Sequence, residues 1–198
     1  MALSPPTVLV FGHSFVKRLR DDRRSSFDPR ADERFNLTGD AIVHLYGVGG
    51  QTLRRLHQRG ELGVVSSISP AIVILEMGTN DLSGLRPEVV GSEIEELASL
   101  LLKSYSVRVI GVCEVISRVR APSFNDAALV LNQYLRGVLD PIPNAFCWRH
   151  RGFTDPSVDP YSSDGVHVNS FGQYCLYRSY WGAMLKALRM LPSFPPSL

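Results

Sequence analysis

The sequence predicts an α/β protein, a three-layer α/β/α sandwich around a five-stranded parallel sheet. Three observations carry this. Five short β-branched runs alternate along the chain with segments of helical periodicity. Several of these runs are apolar at consecutive positions, as strands covered by helices on both faces should be. The 198 residues, 44% apolar and 20% charged, suffice for one domain with a full core and fall in the ordinary globular range.

The first strand is expected at 7–12, in Thr7-Val8-Leu9-Val10-Phe11-Gly12. It ends at a Gly-x-Ser corner, Gly12-His13-Ser14, which opens a helix from Ser14 to about Asp22. The second strand is expected at 41–46, followed by a helix across 51–67 that Gly60 and Gly63 weaken. The third strand is expected at 71–77. After Pro87, Val90, Ile94, Leu97, Ala98 and Leu101 share one helical face. The fourth strand is expected at 106–112. After Asn125 the helical face is Ala127, Leu131, Tyr134, Leu135 and Val138. A fifth strand at 144–148 precedes the last helix, which carries a stripe of Tyr177, Tyr180, Trp181, Met184, Leu185 and Leu188 that reads as core. The irregular pieces are 23–34, 78–86, 113–125 and 149–166. Parallel strands joined by right-handed crossovers send their following loops to one carboxyl edge. Both ends are proline-rich and read as linkers. A domain at 7–190 is therefore expected between an N-terminal linker, 1–6, and a tail, 191–198, as in a module of a longer protein.

Composition narrows the function classes. A net charge of +2 does not by itself imply nucleic-acid binding. No apolar run has membrane length, and Met1 to Pro6 lacks the layout of a signal peptide. Cys113, Cys147 and Cys175 are odd in number and widely spaced. They read as free thiols of an intracellular protein, cytoplasmic or nuclear, rather than a disulfide framework or zinc site.

The chemistry concentrates on carboxyl-edge loops. A serine hydroxyl needs a base, a group that orients the base, and donors for an oxyanion. Ser14 would attack from the strand–helix corner, although on that motif alone it reads more readily as the helix N-cap. His167 would be the base. Asp164, three residues earlier in a turn, would reach its far ring nitrogen, fix the tautomer and stabilise the imidazolium; an ordinary turn with a surface histidine is the other reading. The backbone N–H groups of Ser14 and Gly50 and the side-chain amide of Asn80 would hold the oxyanion. Taken singly, Gly50 and Asn80 read as loop punctuation; the joint pattern is what argues for a site.

Gly12-His13-Ser14, Gly50, Gly78-Thr79-Asn80-Asp81 and Asp164-x-x-His167 resemble, in order and spacing, the four blocks of the SGNH or GDSL-type hydrolases. Tyr46-Gly47-Val48-Gly49-Gly50-Gln51-Thr52 is especially similar to the intracellular platelet-activating-factor acetylhydrolase subunits. The resemblance implies strand order 2-1-3-4-5, Ser14, Asp164 and His167 as a triad, Ser14, Gly50 and Asn80 as oxyanion donors, and no metal or organic cofactor. It implies a serine esterase. Few residues beyond the core and no lid domain favour a shallow site and a small or lipid-like ester with a short, acetyl-type acyl group, its alcohol half not legible. The other reading is an idle module for binding or assembly. The Gly-His-Ser-Phe form of the first block is also similar to esterase domains in the first protein of LINE-type retrotransposons, which adjoin RNA-binding segments. Oligomeric state is not legible.

One departure is clear. His13 stands where the family's first block has aspartate, which bears on loop rigidity; a second base at His13 is the less favoured consequence. Glu76, inside the apolar run Ile72 to Met77, needs a buried partner. The candidates are a side chain near the site, His13 among them, or loop amides, the favoured option. Basic residues cluster at Lys17-Arg18, Arg20, Arg23-Arg24, Arg54-Arg55 and Arg149-His150-Arg151. Such clusters could meet RNA phosphates or anionic head groups, but interleaved acids favour solvated faces. His44 and His57 belong to no spaced ligand set.

Overall fold

The computed structural model describes residues 4–22, 34–153 and 157–191. Most of the expected loop at 23–34, with Arg23, Arg24, Asp32 and Glu33, lies outside the described residues, as do 1–3 and 192–198 of the proline-rich ends.

Five parallel strands form one sheet in the order β2-β1-β3-β4-β5: β1 (Thr7–Gly12), β2 (Ile42–Gly47), β3 (Ile72–Glu76), β4 (Val109–Cys113) and β5 (Ala145–Trp148). β1, β3 and β4 are buried nearly throughout, which explains their unbroken apolar runs. β2 is an edge, and Ile42 is exposed accordingly. One core packs α1 (Ser14–Asp22) and α6 (Ser170–Met190) against Val8, Val10, Ile72 and Ile74. The other packs α2 (Leu53–Gln58), α3 (Gly63–Ile68), α4 (Pro87–Ser104) and α5 (Pro122–Leu139) against Leu9, Phe11, Val73 and Leu75. Alternate residues of each strand thus feed opposite layers.

Local chemistry sets the element bounds. The helix expected across 51–67 is two helices. Gly60 takes φ +63° between them, a left-handed conformation that ends the first. The fourth strand begins at Val109 rather than 106, because Ser106 has φ +58° in the turn that leaves α4. α5 begins at Pro122, where a fixed φ and a missing N–H suit the first turn. Its buried stripe is Ala128, Leu131, Asn132, Leu135 and Leu139, with Ala127, Tyr134 and Val138 half-buried at its margin. On α6, Tyr177, Tyr180 and Met184 are buried, while Trp181, Leu185 and Leu188 pack at the rim of the core. Cys113, Cys147 and Cys175 are all unpaired. No helix among the described residues is long and apolar enough to cross a membrane.

Candidate active site

The site is built where β1 and β3 end side by side. Gly12 pairs with Glu76, and a β-carbon on Gly12 would lie 2.3 Å from the Glu76 carbonyl oxygen. Only glycine lets the two backbones approach this closely. The chain then turns at His13, and Ser14 is the first residue of α1. The backbone N–H of Ser14 therefore has no partner in its own helix.

Two loops are tied beside that corner. After β2, Gly50 takes φ +67°, a left-handed conformation that glycine adopts without strain. After β3, Asn80 donates from Nδ2 to the Gln51 carbonyl at 2.8 Å, and Asp81 Oδ1 accepts from Leu53 N at 2.9 Å. The third-strand loop thus pins the second-strand loop on both sides of Thr52, the N-cap of α2. Each amide nitrogen carries two hydrogens, so Asn80 retains one. Neither Ser14 N–H nor Gly50 N–H donates to a described residue.

The fourth piece is the turn before α6. Asp164 Oδ2 lies 2.6 Å from His167 Nδ1, and its Oδ1 accepts from the N–H of Val166 and of His167 at 2.9 and 2.8 Å. Gly165, at φ +67°, donates to the Ser162 carbonyl and closes the turn. The hydrogen bond from His167, then those from the two amides, hold the Asp164 carboxyl well below its ordinary range. Ser14, Gly50, Asn80 and His167 all line one open cleft of about 370 Å³, and Asp164 stands behind the His167 ring. The structure thus brings four of the five expected residues to one cleft and the fifth into contact with His167. The Ser14 hydroxyl makes no hydrogen bond to a described residue; in free enzymes such contacts often tighten only when substrate binds.

Beneath the corner is a buried ionic cluster. Glu76 Oε2 is 2.8 Å from His150 Nε2 and accepts from the Tyr180 hydroxyl at 2.9 Å. His13 Nε2 is 3.4 Å from Glu76 Oε1, at the long limit, while His13 Nδ1 accepts from Phe15 N at 3.4 Å. Burial alone would raise the Glu76 pKa; His150 and His13 outweigh it and hold the carboxyl below its usual range. Burial, and next the Glu76 charge, push Cys113 and Tyr180 well up. Glu76 is therefore satisfied by side chains and not by loop amides. His13 is buried and turned into this cluster, away from the cleft, so the geometry does not offer it as a second base. His150 is likewise buried rather than part of a surface basic cluster. His44 and His57 are exposed.

The loop after β4 completes the cleft wall with a residue that sequence reasoning missed. Arg118 lines the cleft, its guanidinium carbon 3.7 Å from the centroid of the Phe124 ring. Two asparagines of α5 hold that loop by paired bonds. Asn132 accepts from Val115 N and donates to Val115 O at 2.8 and 3.0 Å; Asn125 does the same for Arg118 at 2.7 and 2.9 Å. Asn132 could have been found: it is a polar residue at a stripe position between Leu131 and Leu135. His150 and Tyr180 gave no such signal, because one sits in a basic run and the other among core aromatics.

No protein-family model matches the chain, and no curated protein does. Solved structures do match. A candidate acylhydrolase from Bacteroides fragilis is 20% identical with TM-score 0.68, covering 94% of this chain and 92% of its own. A GDSL-like lipase from Bacteroides thetaiotaomicron is 18% identical with TM-score 0.67, covering 94% and 93%. A catalytic mutant of an acetylxylan esterase from Geobacillus stearothermophilus is 15% identical with TM-score 0.68, covering 98% and 100%. With the sheet order β2-β1-β3-β4-β5 and helices on both faces, this chain has the SGNH-hydrolase fold.

Proposed function

We propose that the protein is a serine esterase that cleaves short-acyl carboxylic esters through an acyl-enzyme. The observation that carries this reading is the 2.6 Å Asp164–His167 pair on the cleft that Ser14, Gly50 and Asn80 also line. In the first half-reaction the Ser14 hydroxyl adds to the ester carbonyl, and its proton passes to His167 Nε2. Asp164, ionised and bonded to Nδ1, stabilises the imidazolium. The oxyanion is met by the N–H of Ser14 and of Gly50 and by the free amide hydrogen of Asn80. The tetrahedral intermediate collapses as the carbon–oxygen bond to the alcohol breaks and His167 returns the proton to the leaving oxygen. Water then attacks the acyl-enzyme by the same route and releases the acid and Ser14.

The similarity in fold to the acetylxylan esterase, and to an acetyl esterase whose structure holds an acetate ion, supports a short acyl group. The test is a series of 4-nitrophenyl esters with acetyl, butyryl and octanoyl groups. The expected order of kcat/KM is acetyl first and octanoyl last, with turnover abolished in Ser14→Ala. The reverse order overturns the short-acyl assignment; unchanged turnover in Ser14→Ala overturns the mechanism.

A further inference from the structure

The cleft carries cations and no carboxylate among its lining residues. Lys17, Arg18 and Arg118 all line it. Asp164 is held behind the His167 ring, and Asp81 is buried and turned to Leu53 N. Lys17 reaches Asp21 only at 4.0 Å across an exposed pair. Arg18 is exposed with no ion pair to a described residue.

Arg118 is the informative member. A guanidinium has five N–H donors. Here one nitrogen donates to the Thr79 carbonyl at 2.8 Å, and the other contacts, to Thr79 Oγ1 and Ser83 Oγ, are both 3.5 Å. Its Nε–H is buried with no acceptor. No described carboxylate neutralises it. A partly buried cation with idle donors costs free energy unless something else accepts from them. The guanidinium is braced on the Phe124 ring, and the two asparagine clamps fix the backbone of its loop. A planar cation on the wall of a cleft without acids, its terminal donors only partly used, suits a carboxylate or phosphate.

We propose that Arg118, assisted by Arg18, binds an anionic group of the substrate, so that the preferred ester carries a carboxylate or phosphate in its alcohol or acyl part. This rests on the reading of the cleft as the esterase site. Arg118 acts here as a specificity-determining residue; it takes no proton and forms no bond to the reacting carbon.

Paired esters with and without one carboxylate, each rate corrected for uncatalysed hydrolysis and each ratio compared between wild type and variant, provide the test. On the alcohol side, 4-acetoxybenzoate is compared with its methyl ester; on the acyl side, the mono-4-nitrophenyl ester of succinic acid with 4-nitrophenyl butyrate. In at least one pair the wild-type protein should favour the anion by about tenfold or more in kcat/KM, the scale of one charge-assisted hydrogen bond. The pair that discriminates assigns the anion to that half of the substrate. Arg118→Gln should collapse the ratio toward one, Arg118→Lys should restore part of it, and rising salt should shrink it. A purely structural role for Arg118 would lower both members of a pair equally and leave the ratio intact, which overturns the proposal. Calorimetric titration of Ser14→Ala with 4-acetoxybenzoate reads binding without turnover, and adding Arg118→Gln should weaken it about tenfold. If binding depends on Arg118 while no ester is hydrolysed, the anion site stands and the esterase reading falls. Hydrolysis without any charge preference, together with binding indifferent to Arg118, leaves the esterase and removes the anion site.

Discussion

Asn80 uses its two amide hydrogens differently: one goes to the Gln51 carbonyl, and the other is left for the cleft. In comparable sites, loss of one oxyanion donor costs about 3 kcal/mol of transition-state stabilisation, a fall of roughly 10²–10³ in kcat. Asn80→Ala should show that fall with KM little changed, and thermal unfolding should report a folded protein. Asp164 drops out of the pH behaviour. Its carboxyl is held below the ordinary value of 3.8, so it stays ionised across the working range and contributes no limb to the profile there. A protonated imidazole cannot accept the Ser14 proton. The rate should therefore fall on acidification while the protein stays folded. A rate indifferent to acid up to the point of unfolding contradicts histidine as the base. Ser14, Gly50, Asn80, Asp164 and His167 were legible in the sequence because each sits in a short block with turn or corner chemistry. Arg118 was not: its meaning comes from what surrounds it in space, namely Phe124, Asn125 and the absence of acids on the cleft.

At the scale of the element, β3 supplies both the Asn80 loop and the buried anchor beneath it. Glu76 joins β3 to α6 through Tyr180, to the segment after β5 through His150, and to the serine corner through His13. Removing the carboxylate leaves those groups buried with unmet polar atoms. Breaking such a buried pair by deleting one partner costs about 3–5 kcal/mol. Glu76→Ala should lower the urea midpoint accordingly. The sign of the pH effect follows from the lowered carboxyl pKa. The stabilisation is present above the unfolded-state value near 4.5 and is lost as pH falls below it toward the folded-state value. Acid should therefore destabilise the wild type more steeply than Glu76→Ala; equal acid sensitivity would contradict an ionised Glu76. The sequence showed that Glu76 needs a partner but not which one. A strand pattern reports that a position is buried, while its partner here comes from a helix about a hundred residues later. Element ends were blurred for a similar reason: the left-handed turns at Gly60 and Ser106 interrupt runs whose composition favours continuation.

For the whole molecule, alternation of strand and helix was enough to name the three layers, because apolar runs without polar alternation require cover on both faces. The strand order came from the resemblance, and the sheet shows the same order. That order sets β1 between β2 and β3, so the loops after all three meet at one edge, and the turn before α6 closes over them. Ser14 as a nucleophile, rather than a helix cap, is open to a covalent probe: the folded protein is treated with a fluorophosphonate and the adduct located by mass spectrometry. Stoichiometric phosphonylation of Ser14 is expected, slowed strongly in His167→Ala and absent in Ser14→Ala. Folded protein that stays unlabelled, or that carries the adduct equally well without His167, would contradict it.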